Sequence, residues 1–411
     1  MNNLYNFCIR AYGLGIAIAG LVNPKARLWH KGRVTLFERL ATKIDTRGER
    51  VWVHVASLGE FEQARPIIEE LKRVRPEVKV VVTFFSPSGY EIRKNYPKAD
   101  CVEYLPEDTP ESVSRFLDIV KPSVTLFIKY EFWLNYLEEL RRRGIPTLLA
   151  SAIFRRDSVF FRPYGKAWRK ALGTYETMFV QNDKSKELLN ELGYQRVVVA
   201  GDSRFDRVRE IAQQAKEIEA IERFKGRSRL FVAGSTWERD EELIIDAMAK
   251  NHDIKFLIAP HEIGDDRVQR LMDRCNAKAI RYTYITANDD LADYQLLILD
   301  TMGMLSSVYR YADWAYVGGG FGAGIHNILE PAVYGIALTF GPRYHKFQEA
   351  HDLIGLGVAQ SIRSKAELQE RIAHLKGNSF NESDIRAKGL KYIDDNCGAT
   401  ALIVEHILTL L

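Results

Sequence analysis

From about residue 50 the chain alternates short apolar runs, rich in β-branched residues, with stretches whose apolar positions recur every three to four residues. The runs at 51–57, 78–86, 101–105, 124–130, 147–151, 178–181 and 197–200 predict strands, and the stretches at 60–74, 110–120, 132–143 and 184–192 predict helices between them. Polar, strongly charged sequence fills 204–229 and carries no strand pattern, so it reads as a connection. The alternation then restarts. Strands are predicted at 230–234, 255–259, 295–299, 314–318 and 337–341, and helices at 240–249, 267–275, 304–311, 327–334 and 365–375. A last amphipathic helix is predicted at 399–411. Such a rhythm, run twice, predicts two parallel sheets with helices on both faces and ligands at the carboxyl ends of the strands.

The N-terminus breaks this pattern. Residues 4–22 are mostly apolar and precede Lys25, Arg27, Lys31 and Arg33. The unbroken apolar run after Arg10 is short of the roughly 20 residues that span a bilayer. Most of its charges follow rather than precede it, unlike a secretory signal. The segment therefore reads as a helix resting in a membrane interface with a basic collar, or as a helix packed on its own domain. The resulting division is a membrane-associating segment at 1–34, a domain at 35–203, a linker at 204–228, a second domain at 229–396 and a C-terminal helix at 397–411.

Composition narrows the class. The 411 residues are 46% hydrophobic and 27% charged, which suits globular cores and excludes a disordered chain or a multi-span membrane protein. A net charge of +4 suits an anionic substrate or surface without choosing between them. Basic residues do not gather into a stripe with interleaved aromatics, so nucleic acid is not an expected partner. Cys8, Cys101, Cys275 and Cys397 are scattered, which argues against a disulfide framework or structural zinc and fits a reducing cytoplasm.

Candidate chemistry sits at the strand ends. The first strand runs into Ser57-Leu-Gly59-Glu60, where a carboxylate at the sheet mouth can act as general base and Gly59 admits a tight turn and a close ligand. The same acid also suits a helix N-terminus with no further role. His54, on that strand, reads as a core or supporting histidine. Glu131 falls at the end of the fourth strand, so two carboxylates can converge. The turn Ser86-Pro-Ser88-Gly89 offers hydroxyls to an anion, although turn chemistry accounts for it equally. In the second half, Ser235-Thr236, Pro260-His261, Asp300 to Met304 and the glycine-rich loop Gly318-Gly319-Gly320 all follow strands. That loop leads into a helix carrying Glu330, an arrangement suited to a phosphate and a ribose diol. Ser235 or Thr236 could equally cap a helix.

Taken in order, HVASLGE, KYEFWLN, GDSRFD, GSTWERDEE, IAPHE, DTMGML, HNILEPAVYG and FGPRYHKFQEA resemble the Kdo (3-deoxy-D-manno-octulosonic acid) transferases of Gram-negative lipopolysaccharide assembly. The resemblance implies the glycosyltransferase-B fold: two doubly wound Rossmann-like α/β domains with a cleft between them and an N-terminal apolar helix. It implies inverting transfer of Kdo from CMP-Kdo to a tetraacylated lipid A precursor, on the cytoplasmic face of the inner membrane, without a metal or other cofactor. By that likeness Glu60 is the base, with Glu131 beside it, and Pro260, His261, Met302, Gly303, Met304, Asn327, Ile328, Leu329 and Glu330 hold CMP. Ser57, Gly59, Arg204, Ser235, Thr236, Gly319 and Gly320 complete the expected substrate contacts. The family's Arg between the equivalents of Pro260 and His261 is missing, so a phosphate partner must come from His261, Arg204 or Arg343. The competing readings are another two-domain sugar-nucleotide enzyme, such as a UDP-sugar transferase or 2-epimerase, and a non-catalytic sugar-nucleotide binding protein.

Overall fold

A computed structural model describes residues 2–45 and 47–411. Two compact units divide the chain: Met1–Asp206 with Cys397–Leu411, and Arg207–Asn396.

In the first unit, seven parallel strands are β1 (Arg50–Val55), β2 (Lys79–Phe84), β3 (Cys101–Tyr104), β4 (Val124–Ile128), β5 (Thr147–Ala152), β6 (Thr177–Val180) and β7 (Val197–Val199), in the order β3-β2-β1-β4-β5-β6-β7. Helices cover both faces, so β1, β4 and β5 are buried along their whole length and lack polar alternation. One face packs Trp52, Phe116, Phe127, Tyr136 and Leu140. The other packs Phe61, Ile67, Ile68 and Leu71 together with Ile403, Val404 and Ile407. The C-terminal helix Ala399–Leu410 thus belongs to the first unit's core, far in sequence from the rest of it.

The second unit repeats the plan with β8 (Arg229–Thr236), β9 (Ile254–Pro260), β10 (Ala279–Arg281), β11 (Leu296–Ile298), β12 (Trp314–Val317), β13 (Ala337–Phe340) and β14 (Ala359–Ser361), in the order β10-β11-β9-β8-β12-β13-β14. β10 and β14 were not expected; each is a three-residue edge strand, too short to show a period. The order reverses between β1 and β4 and again between β8 and β12, the places where doubly wound sheets open for ligands. The 204–228 stretch contains two helices, Ser203–Gln214 and Glu219–Lys225, and the second buries Ile221 and Phe224.

At the N-terminus, helices Asn2–Ala19 and Pro24–Val34 are bent by 120°, and among the described residues no single helix is long and apolar enough to cross a membrane. Leu4, Phe7, Leu14, Ile18, Leu21 and Val22 are exposed. Two members of the expected basic collar are structural instead. Arg33 donates to the carbonyls of Trp29, Phe85 and Leu105, and its guanidinium lies 3.8 Å from the Trp29 ring centroid. Burial pushes it down to about 9. Arg27 donates to the Gly20 and Leu21 carbonyls that end the first helix. Lys25 and Lys31 remain exposed.

Candidate active site

The chain leaves β1 through Ala56 and Ser57 into helix Leu58–Val74. Ser57 is the N-cap residue, yet its hydroxyl makes no capping bond; Glu60 instead reaches back to the end of the strand, its Oε2 accepting from the Ala56 N–H at 2.5 Å. Gly59 lies inside the helix and an added Cβ would meet nothing within 4 Å, so its backbone needs no glycine and its contribution is open space beside Glu60. Burial raises the proton affinity of the Glu60 carboxyl, and the charge of Glu131 adds to this; the Ala56 N–H, His54 and Lys129 oppose it. The two carboxylates expected from separate strands are therefore close enough to interact.

Glu131 follows β4 and is 8% exposed. Its Oε2 accepts from the Trp133 indole at 2.6 Å and lies 3.0 Å from His54 Nε2. The Tyr175 hydroxyl donates to its main-chain carbonyl at 2.7 Å. Lys129, two residues earlier, holds a left-handed backbone with φ 64°, an uncommon conformation outside glycine that re-aims the chain as it leaves the strand. The 86–89 turn is explained by helix geometry. Ser86 caps helix Pro87–Arg93 and bonds the Ser88 hydroxyl at 2.9 Å, while Gly89 leaves room for the Phe84 ring. Arg204 pairs with Asp202 at 2.8 Å within the first unit.

In the second unit the four expected clusters emerge from the carboxyl ends of β11, β9, β8 and β12, which are consecutive in the sheet. Ser235 has φ 53°, a second strained strand end. Neither Ser235 nor Thr236 caps the following helix. Trp237 is the N-cap, and the Thr236 hydroxyl donates to Glu241 at 3.1 Å. Asp240, 1% exposed, joins two strand ends, accepting from the N–H groups of Trp237 and Gly319, each at 2.9 Å, and from the Tyr316 hydroxyl at 2.7 Å. Trp237, His261 and His326 stand nearly parallel, with ring centroids 4.6 Å apart for Trp237–His261 and 4.5 Å for His261–His326. The Trp237 indole donates to His326 Nε2 at 3.0 Å. Burial lowers the proton affinity of His326, which keeps that nitrogen an acceptor.

The glycine-rich loop is packed more tightly than its sequence suggests. A Cβ on Gly318 would overlap the Ser235 carbonyl, and one on Gly320 would lie 2.7 Å from Gly341 Cα. Gly318, Gly319 and Gly320 are buried. The helix expected at 327–334 is one turn, Leu329–Ala332, so it offers no extended N-terminus to a phosphate. Ile328 and Leu329 are fully buried and can present only main chain. Glu330 accepts from Ser306 at 2.9 Å and Asn327 at 3.1 Å. Met302 is 78% exposed, Gly303 has φ 82°, and Thr301 bonds Met304 sulfur at 3.1 Å, so this loop stands open beside them. Pro260 ends β9. Arg343 donates to the Gly322 carbonyl. His54 was read only as a core or supporting histidine, and Trp133, Trp237, Asp240 and His326 were not among the residues assigned a role; none of them shows its use until its partner is seen.

Residues 33–207 match the family model described as 3-deoxy-D-manno-octulosonic-acid transferase (kdotransferase). The chain is 27% identical to the 3-deoxy-D-manno-octulosonic acid transferase of Aquifex aeolicus over 79% of its own length and 85% of that protein. It is 24% identical to the Haemophilus influenzae protein of the same name, over 86% of each chain. Among solved structures, UDP-GlcNAc 2-epimerase from Neisseria meningitidis shares the fold with a TM-score of 0.59 at 14% identity, covering 88% of this chain and all (100%) of that one.

Proposed function

We propose that this chain is a Kdo transferase, a glycosyltransferase of lipopolysaccharide biosynthesis, with CMP-Kdo as the donor and a sugar hydroxyl on a tetraacylated lipid A precursor as the acceptor; its similarity to the kdotransferase model and to the Kdo transferases named above supports this reading. The observation that carries this reading is Glu60: a carboxyl with raised proton affinity at the carboxyl end of β1, beside a second carboxylate. Glu60 takes the acceptor proton as the hydroxyl oxygen bonds the anomeric carbon of Kdo from the face opposite CMP. The bond from that carbon to the phosphate oxygen breaks, its electron pair leaves with CMP, and the anomeric configuration inverts. Pro260, His261, Met302 to Met304 and Asn327 to Glu330 hold CMP, with Ser235 and Thr236 beside them. His261, exposed and stacked, takes the part of the missing arginine; Arg204 and Arg343 are already engaged by Asp202 and Gly322. The reaction assigned here needs no metal. The exposed apolar face of the first two helices, with Lys25 and Lys31, rests on the cytoplasmic face of the inner membrane, where an acylated acceptor resides.

The test incubates purified full-length protein in detergent with a tetraacylated lipid A precursor, CMP-Kdo generated in situ and EDTA, and weighs the lipid by mass spectrometry. Wild type adds one or more Kdo units. Glu60→Gln loses about 100-fold or more of turnover while CMP affinity persists. No added mass, or near-full turnover by Glu60→Gln, overturns the reading.

A further inference from the structure

His54 occupies the centre of the first unit's switch point and is fully buried on β1, paired in register with Thr83 of β2 and Phe127 of β4. Its two ring nitrogens reach across both neighbouring strands. Nδ1 lies 2.9 Å from Thr83 Oγ1 and 3.1 Å from the Thr83 carbonyl; Nε2 lies 3.0 Å from Glu131 Oε2. The Trp52 indole donates to Thr83 Oγ1 at 2.8 Å, which fixes that hydroxyl.

The Trp133 indole has one hydrogen and shares it between Glu131 Oε2 at 2.6 Å and His54 Nε2 at 3.2 Å. His54 Nε2, Glu131 Oε2 and the indole nitrogen therefore form one buried triangle, with Nε2 3.0 Å from Oε2. Thr83 serves either protonation state at the other nitrogen: its hydroxyl donates to a neutral ring, and its oxygens accept from a charged one. The ring keeps its place in both.

We propose that His54 is a positioning residue for the transfer reaction: by holding Glu131 from the side opposite Thr83, it fixes how Glu131 bears on the base Glu60. This rests on the reading of Glu60 as base. The charged and titratable groups that face Glu60 are Glu131, Lys129 and Tyr130 from the end of β4 and His54 from β1. Glu131 raises the proton affinity of Glu60, whereas His54 and Lys129 lower it. Removing His54 takes away the contact that holds Glu131 and a group that lowers the proton affinity of Glu60, so Glu60 ionises at higher pH and the acidic limb of the rate profile moves up.

A core histidine with only a packing role makes a different prediction: its loss changes stability or turnover evenly across pH. The test measures kcat/KM against pH for wild type, His54→Asn, His54→Gln and Thr83→Val. A hydrogen bond to a charged group bears on the balance by about tenfold. His54→Asn, which cannot reach Glu131, therefore loses about tenfold more of its kcat/KM at acidic than at alkaline pH. His54→Gln, whose amide nitrogen reaches close to the position of Nε2, brings the limb back toward wild type. Thr83→Val, a near-isosteric change, moves it in the direction of His54→Asn and keeps the test available should the Asn variant fail to fold. In parallel, the Glu60 carboxyl is titrated by 13C NMR in the donor-free full chain, with Glu60→Gln assigning the resonance. The titration must move up in pH for His54→Asn. Limbs that superimpose, a loss that is uniform with pH, or a titration that stays in place or moves down overturns the proposal. Because the NMR titration needs no turnover, failure of the Kdo-transfer reading and failure of the His54 coupling are seen separately.

Discussion

Asp240 offers the sharpest quantitative test of how the second unit's strand ends are held. Its buried carboxylate satisfies three donors, the N–H groups of Trp237 and Gly319 and the Tyr316 hydroxyl. Asp240→Ala leaves all three without an acceptor in a region where Gly319 and Tyr316 are themselves buried. An orphaned buried donor costs roughly 1–3 kcal/mol, and water entering the vacated space recovers part of it, so the expected loss is about 4 kcal/mol. Asp240→Asn keeps the shape. Its amide oxygen replaces Oδ2 and retains both N–H bonds, and its nitrogen donates to Tyr316 once the hydroxyl rotates. Only the charge-assisted strength is lost, about 1–2 kcal/mol. Calorimetry on the full chain reads the difference, at about 2–4 °C per kcal/mol for a unit of this size. Equilibrium binding of CMP reads the consequence, since Trp237 and Gly319 stand at the ends of β8 and β12. CMP affinity falls more for the alanine variant. Equal losses for the two substitutions, or a loss below about 1 kcal/mol for alanine, would refute the count of orphaned donors on which the argument depends.

Two further outcomes follow from buried and strained positions. Burial pushes the Asp108 carboxyl up to about 6, against bonds from the Tyr5 hydroxyl and the main chain at Asn135 and Tyr136. A raised value means the folded state holds the proton more tightly, so the contribution is full below the unfolded value near 4 and is lost as pH rises through about 6. Asp108→Asn therefore flattens the fall in stability over that window by about 3 kcal/mol, read from urea unfolding at stepped pH; parallel curves would count against it. Ser235→Gly relieves a left-handed residue and raises the melting temperature by about 2–4 °C, whereas Ser235→Ala does not; a lower melting point for the glycine variant would show that the side chain, not the backbone, governs this strand end.

The long apolar runs made twelve of the fourteen strands legible, because a strand buried on both faces needs no alternation to be noticed, only length. β10 and β14 escaped because three residues cannot show a period. The glycine-rich loop was legible as a loop but not as a packing device, since contact of Gly318 with Ser235 and of Gly320 with Gly341 depends on which strands neighbour β12. Glu60 and Glu131 could be named as candidates because strand ends are where such sheets bind ligands. The contact of His54 with Glu131 could not be read the same way: Glu131 lies 77 residues away, and only the reversal of strand order brings them to 3.0 Å. The left-handed backbones of Lys129 and Ser235 have no sequence signal, because neither residue type announces a positive φ.

These features make the two switch points variations on one device. Each has a strand-end residue in the left-handed region, Lys129 after β4 and Ser235 in β8. Each has an acid at the third position of the helix that follows the first strand, reaching back to a main-chain N–H: Glu60 to Ala56, Asp240 to Trp237. What separates them is the number of donors. Asp240 is met by three, so its charge is spent as a clamp. Among the described residues Glu60 accepts one hydrogen bond, from Ala56, and has Glu131 for a neighbour, so its other oxygen is uncommitted and its proton affinity is raised. Burial with a single donor and a like charge beside it favours the protonated form of a carboxyl. The same local fold thus yields a structural tie in one unit and, in the proposed reaction, a base in the other, and the difference lies in the partners that the second strand of each pair supplies.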